Sequence, residues 1–250
     1  MSRLILFIRS LLFFMIMIIV TIPWACICFL CLPLPYAARY FITSRWNVFM
    51  IWLAKVLCGI RYEVRGMHNL PDTPAILLCK HQSAWETIFL LCKMPRPLIF
   101  VLKKELLYVP FFGWALALLR MIPIDRSKAR DAFAQVVVHG RKRLADGQWV
   151  IMFPEGTRTA VGGQGKYKGG GARLAVETGA VVVPIAVNSG ECWPKNSFIK
   201  TPGVITVSIG PTIASTGKDA ARLMQEVENW IESEMRVISP ARYAGPFIQK

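Results

Sequence analysis

Ala75-Ile76-Leu77-Leu78-Cys79-Lys80-His81-Gln82-Ser83-Ala84-Trp85-Glu86-Thr87-Ile88-Phe89-Leu90-Leu91 is an apolar run, a polar turn and a second apolar run that opens on a carboxylate. The first part reads as a short buried strand ending at Cys79, and the stretch from about Ala84 to Lys93 as a helix. A histidine at a strand end, with Glu86 at the start of the following helix, has a specific geometric use. The turn can fold the carboxylate back onto one ring nitrogen of His81, fixing the tautomer and leaving the other nitrogen free to take a proton. This is the base-and-orienter half of a hydrolytic triad, with no obvious nucleophile beside it. The hydroxyl to be activated then comes with the substrate. A solvated or capping histidine is the plain alternative for such a pair taken alone. Cys79 would share a strand face with His81, where it either offers a thiol or simply fills space.

Around that stretch, short apolar runs alternate with amphipathic ones. Tyr62-Glu63-Val64-Arg65 alternates like an exposed strand, whereas Leu98–Leu102, Met121–Ile124, Trp149–Phe153, Ala180–Val187 and Val204–Ile209 read as more buried strands. Between them Glu105–Leu119, Ala129–Ala145, Gly171–Glu177 and Asp219–Val237 read as helices. The order predicts an α/β fold, a mixed sheet covered by helices. No GxGxxG follows a strand, which argues against a dinucleotide fold. The expected organisation is a membrane-anchoring segment over 1–60, a catalytic domain over 61–238 and a basic tail over 239–250.

The anchor is expected from composition. No charged residue occurs from Ser10 to Ala38, a run longer than the ~20 residues needed to span a hydrocarbon core as helix. Pro23 sits near its middle. The run is too long for a cleavable signal peptide and ends without a small-x-small site. A second apolar segment, Trp46 to Leu57, is shorter, contains Lys55, and suits a helix lying in the interface. The 250 residues carry 30 Lys and Arg against 15 Asp and Glu, a net charge of +15. No acidic residue precedes Glu63, so the anchor has a one-signed basic face suited to an anionic membrane surface. Nucleic acid is excluded as a partner by the lack of any recognition signature. Seven cysteines concentrated in apolar runs point to reduced thiols rather than a disulfide framework. Cys26, Cys28 and Cys31 lack a fourth metal ligand, and no metal is expected.

Four further stretches carry candidate chemistry. Phe153-Pro154-Glu155-Gly156-Thr157-Arg158 runs from a strand into a turn that presents a carboxylate, a hydroxyl and a guanidinium, the last able to fork onto a phosphate. Lys103 and Lys104 stand at one strand end and Arg126 after another, so convergence of those ends would make an anion pocket. Gly162 to Gly171, with Lys166 and Lys168, reads as a flexible lid or entry loop, since it lacks Walker spacing. Pro184, inside Val181–Val187, suggests an edge strand or a bulge bordering an apolar channel.

Taken in this order, the stretches resemble the glycerophospholipid acyltransferase family, in particular its lysophosphatidate acyltransferases, over roughly residues 60 to 215. The family's His-x4-Asp motif is matched by His81 to Glu86, with Glu in place of Asp; Phe153 to Arg158 matches its Phe-Pro-Glu-Gly-Thr-Arg motif. The resemblance implies that His81 deprotonates the 2-hydroxyl of 1-acyl-glycerol-3-phosphate (lysophosphatidate) for attack on an acyl-CoA or acyl-carrier-protein thioester. Glu86 would support the imidazolium. Lys104, Arg126, Glu155, Gly156, Thr157 and Arg158 would form the acceptor's phosphate pocket, and Pro184 would border the acyl channel. No cofactor is implied, and the site would sit at the membrane's cytoplasmic face. Two alternatives stand beside this reading: another acceptor, such as glycerol-3-phosphate or a different lysolipid, and a non-catalytic membrane protein that binds anionic lipid.

Overall fold

The computed structural model describes residues 1–125 and 129–244; the expected position of Arg126 therefore lies outside the described residues. Two helices come first, α1 (Arg3–Leu30) and α2 (Tyr36–Cys58). They fold back on one another: Trp46 Nε1 donates to Thr21 Oγ1 at 3.1 Å, and the Arg9 guanidinium donates to the Leu57 carbonyl at the far end. Both are long and apolar enough to cross a membrane by length and composition. For the second segment this corrects the sequence expectation. The helix starts at Tyr36 rather than Trp46, because Tyr36–Arg45 contains no residue that stops a helix and Pro35 stands just before it. α1 leaves apolar residues such as Leu4, Ile8, Ile19 and Leu30 exposed, whereas α2 buries Met50, Leu53 and Ala54 against the rest of the chain.

The domain that follows is built on a seven-stranded sheet of order β1-β7-β6-β2-β5-β3-β4. The strands are β1 (Ile60–Arg65), β2 (Ala75–Cys79), β3 (Leu98–Lys103), β4 (Ile122–Ile124), β5 (Trp149–Met152), β6 (Val181–Val187) and β7 (Gly203–Ile209). All neighbouring pairs are parallel except β6 with β7. Every residue of β2 is buried, as expected of a central parallel strand with helices on both faces. One layer is α5 (Ala129–Ala145), α6 (Gly170–Thr178) and α7 (Ala220–Ile238), packed side by side; the other contains α1, α2, α3 (Trp85–Lys93) and α4 (Phe112–Leu118).

One local reading is corrected, and another is decided between its two alternatives. The helix expected over Glu105–Leu119 is broken into a 3₁₀ turn, Lys104–Tyr108, and α4, because Pro110 cannot continue the first turn and Phe111 takes a positive φ of 64°. Pro184 is not on an edge strand, since β6 lies between β2 and β7. The β7 ladder is interrupted there: Ile185 pairs with Ile209 and Val182 with Ile213, so one more residue intervenes on the β7 side than on β6. The bulge accommodates the missing N–H, and the Pro184 carbonyl still accepts from Gly210 N at 2.9 Å.

Candidate active site

The carboxyl ends of β2, β5, β3 and β6 all open on the same edge of the sheet, and the segments leaving them converge on His81. Glu86 Oε1 lies 2.8 Å from His81 Nδ1 and also accepts from the main-chain N–H groups of Gln82 at 2.9 Å and Ser83 at 2.7 Å. Its other oxygen accepts from Ser189 Oγ at 2.6 Å, from the 3₁₀ turn after β6. Glu86 sits in the first turn of α3, where the N-terminal end of a helix favours negative charge. With the carboxylate committed as acceptor, Nδ1 carries the proton of a neutral His81 ring and Nε2 is left to take another. The ring plane is set by stacking on Phe153, with centroids 3.9 Å apart and 16° between planes.

His81 and Phe153 line an apolar cleft of about 930 Å³, together with residues of β3 and α3 and with Met17, Ile18 and Thr21 of α1. Its cations are Lys103, at the end of β3, and Lys168, from the loop before α6; both are exposed. Lys168 lies against Gly156, whose φ of +68° and bare Cα leave the space: a Cβ there would stand 2.8 Å from Lys168 Nζ.

The sequence-derived candidates divide by position. His81 and Gly156 line the cleft. Thr157 is exposed, and Arg158 is half-buried with its carbonyl accepting from Lys195 Nζ at 2.6 Å. Lys104 is exposed and lies outside the lining of the cleft, where its neighbour Lys103 takes part. Pro184 also lies outside that lining, its strand being buried in mid-sheet. Glu155 turns away from the cleft. Its Oε1 receives Lys80 Nζ at 2.7 Å and Gly165 N at 3.2 Å, and its Oε2 receives the His81 main-chain N–H at 2.9 Å. Cys79 does not offer a nucleophile: it is fully buried, with Sγ 3.2 Å from the Lys80 carbonyl. Burial, with the nearby charges of Glu86 and Glu155, pushes that thiol well above its ordinary value.

Sequence reasoning missed Lys80 and the α7 residue Glu232. Lys80 Nζ also donates to Glu232 Oε1 at 2.7 Å, and both side chains are buried. Burial lowers the Lys80 pKa, but the two carboxylates outweigh it and hold the ammonium above its ordinary value. A lysine next to the histidine was the only signal, and nothing along the chain joined it to a residue so far away. Tyr243, in the stretch expected to be a basic tail, is likewise packed in: its hydroxyl accepts from Gln82 Nε2 at 2.7 Å.

The sequence model of the Acyltransferase family matches residues 61–188. A 1-acyl-sn-glycerol-3-phosphate acyltransferase of Pseudomonas aeruginosa is 48% identical over 93% of this chain and 92% of its own length. The 1-acyl-sn-glycerol-3-phosphate acyltransferase alpha of Homo sapiens is 31% identical over 80% of this chain and 73% of its own. The crystal structure of the 1-acyl-sn-glycerophosphate acyltransferase from Thermotoga maritima superposes with a TM-score of 0.79 at 21% identity, covering 95% of this chain and 97% of that one. At that identity the likeness speaks for the fold.

Proposed function

The chain belongs to the acyltransferase family, and from that premise we propose that it transfers an acyl group from acyl-CoA or acyl-carrier protein to the 2-hydroxyl of 1-acyl-glycerol-3-phosphate, giving phosphatidate. The observation that carries the mechanism is the His81–Glu86 pair with His81 lining an apolar cleft, and with no hydroxyl or thiol free to attack beside it among the described residues. Ser189 Oγ is spent on Glu86, Thr87 Oγ1 on the Ala84 carbonyl, and Ser83 Oγ receives Trp85 N.

The acceptor hydroxyl gives its proton to His81 Nε2 as its oxygen attacks the thioester carbonyl carbon. A C–O bond forms, the tetrahedral adduct collapses, the C–S bond breaks, and the leaving thiolate takes the proton back from His81. Glu86 stabilises the transient imidazolium through Nδ1. The phosphate is gripped by the cleft cations Lys168 and Lys103, with Arg158, from the turn that carries Gly156, and Arg126 joining them on the strength of the family resemblance. Acyl chains follow the apolar cleft toward α1. That helix, basic at Arg3 and Arg9 and otherwise apolar, keeps the site against the bilayer from which the acceptor comes. The face is the cytoplasmic one, where the thioester donors are.

The test is purified protein in detergent or liposomes with lysophosphatidate and a labelled acyl thioester, with glycerol-3-phosphate and other lysolipids in parallel. The wild type should label phosphatidate, and His81→Ala should lose about two orders of magnitude or more in kcat. Equal turnover in the variant would remove His81 from the mechanism; preferential labelling of another acceptor would reassign the substrate.

A further inference from the structure

We infer that Lys80 is a positioning residue for this acyl transfer, clamped between Glu155 and Glu232 so that it holds the main chain of His81 and ties the setting of the base to helix α7. The inference rests on the catalytic reading of His81.

Lys80 has no capacity left for a substrate. Its ammonium carries three protons and meets three acceptors: Glu155 Oε1 at 2.7 Å, Glu232 Oε1 at 2.7 Å and the Gly163 carbonyl at 3.1 Å. Its side chain is fully buried, with the rings of Tyr167 and Tyr243 each 6.0 Å from Nζ. Whatever Lys80 does, it does through its partners. Stability alone is a poor reason for such a cluster, because well-packed apolar side chains often replace buried ion pairs at no cost in stability.

The partner that matters is Glu155. While one of its oxygens is held by Lys80, the other accepts the His81 N–H at 2.9 Å. The His81 carbonyl is held from the same turn, by Thr159 N at 2.8 Å and Thr159 Oγ1 at 3.1 Å. Both main-chain groups of the catalytic residue are thus fixed by the segment after β5, and the orientation of Glu155 is fixed by Lys80. Glu232 extends the chain to α7 and also accepts from Tyr167 OH at 2.8 Å, which brings in the loop before α6. Three segments that are remote in sequence meet at one ammonium. With one cation set between two carboxylates, loss of the cation leaves Glu155 and Glu232 repelling each other in a dry site. Glu155 relieves that repulsion by turning away from His81 or by taking up a proton, and either weakens its hold on the His81 N–H.

The arrangement has a signature that loss of packing lacks. Lys80→Met should lower kcat about tenfold or more, with KM for donor and acceptor within about twofold. Adding Glu232→Gln removes the repulsion, so the double variant should recover about fivefold or more of that loss; a role in packing alone makes it as slow as the single variant or slower. Wild-type kcat in folded Lys80→Met, or a double variant no faster than Lys80→Met, overturns the inference. If Lys80→Met does not fold, Glu232→Gln and Tyr167→Phe carry the test, each with an expected kcat loss of about threefold and unchanged KM; unchanged kcat in both overturns it. A wild type that transfers no acyl group sinks the functional reading instead. The positioning is then read from the His81 ring-proton resonance of micelle-bound protein, which should shift in Glu232→Gln and which, if unmoved, overturns it.

Discussion

On the α7 side of the His81 loop, Lys80 is fully buried between Glu155 and Glu232; on the cleft side, Lys103 and Lys168 stand exposed at the mouth of an apolar cavity. Both regions concentrate charge within a few residues of the same histidine. The Lys80 ammonium has all three donors engaged, so it defines geometry and cannot meet a ligand. The exposed cations give up little when an anion arrives, because they exchange water and a surface contact such as that of Lys103 with Glu105, at 3.1 Å with both half-exposed. The difference separates two ways to fail, loss of rate and fold on one side and loss of acceptor affinity on the other.

Glu155→Gln should break the buried side most severely. Removing one partner of a buried ion pair costs about 3–5 kcal/mol, because the ammonium is left partly uncompensated. A much lower thermal midpoint together with a fall in kcat is expected; a wild-type midpoint would mean that the site is wetter than its burial implies. The pH course has a defined sign. Lys80 is held above its ordinary pKa in the folded chain, so its contribution is complete below the unfolded value of about 10.5 and is lost only as pH rises through the higher folded value. The gap between wild type and variant should therefore stay constant from about pH 6 to about pH 9.

Glu86→Asp tests the hinge between the two regions. The longer arm reaches His81 Nδ1, two main-chain N–H groups and Ser189 Oγ at once. One methylene fewer cannot keep all four contacts without moving the loop. A fall of about tenfold in kcat, near 1.4 kcal/mol of barrier, is expected with little change in KM; a wild-type rate would show that the loop shifts freely to follow the carboxylate. On the cleft side, Lys168→Ala and Arg158→Ala should raise the acceptor KM about tenfold and leave the donor KM and the thermal midpoint unchanged. Equal rises for both substrates would assign these cations to the donor instead.

What the chain reveals before folding follows the same divide. Strands such as Ala75–Cys79 and the His81–Glu86 turn were legible because their signals are local: an apolar run, a terminator, and a carboxylate at helical distance. The strand–turn–helix unit carries its own instructions. Lys80 with Glu232 was not legible, since the pairing is made by α7 packing across β6, and one glutamate among the four of an amphipathic helix looks solvated. The length of α2 was underestimated because Tyr36–Arg45 is polar enough to look like a connector, yet it packs beside α1 and α3. Pro184 advertised an irregularity correctly, but whether edge or bulge depended on where β7 would lie.

Lys103 and Lys104 give the finest version of the comparison, two adjacent lysines of equal charge at one strand end. Alternation at the end of β3 sends neighbouring side chains in different directions, and the 3₁₀ turn that starts at Lys104 carries that residue away. Lys103 lines the cleft that contains His81, whereas Lys104 is exposed outside it. Removing Lys103 also frees Glu105, and an unpaired carboxylate near the cleft mouth repels a phosphate. Lys103→Ala should thus raise the acceptor KM about fivefold, and Lys104→Ala less than about twofold, in the same transfer assay. Raising the ionic strength should shrink the first effect, because both ends of the Lys103–Glu105 pair stand in solvent. A larger effect at Lys104 would mean that the acceptor approaches over the 3₁₀ turn rather than along the cleft, and would move the phosphate site to the far side of Glu105.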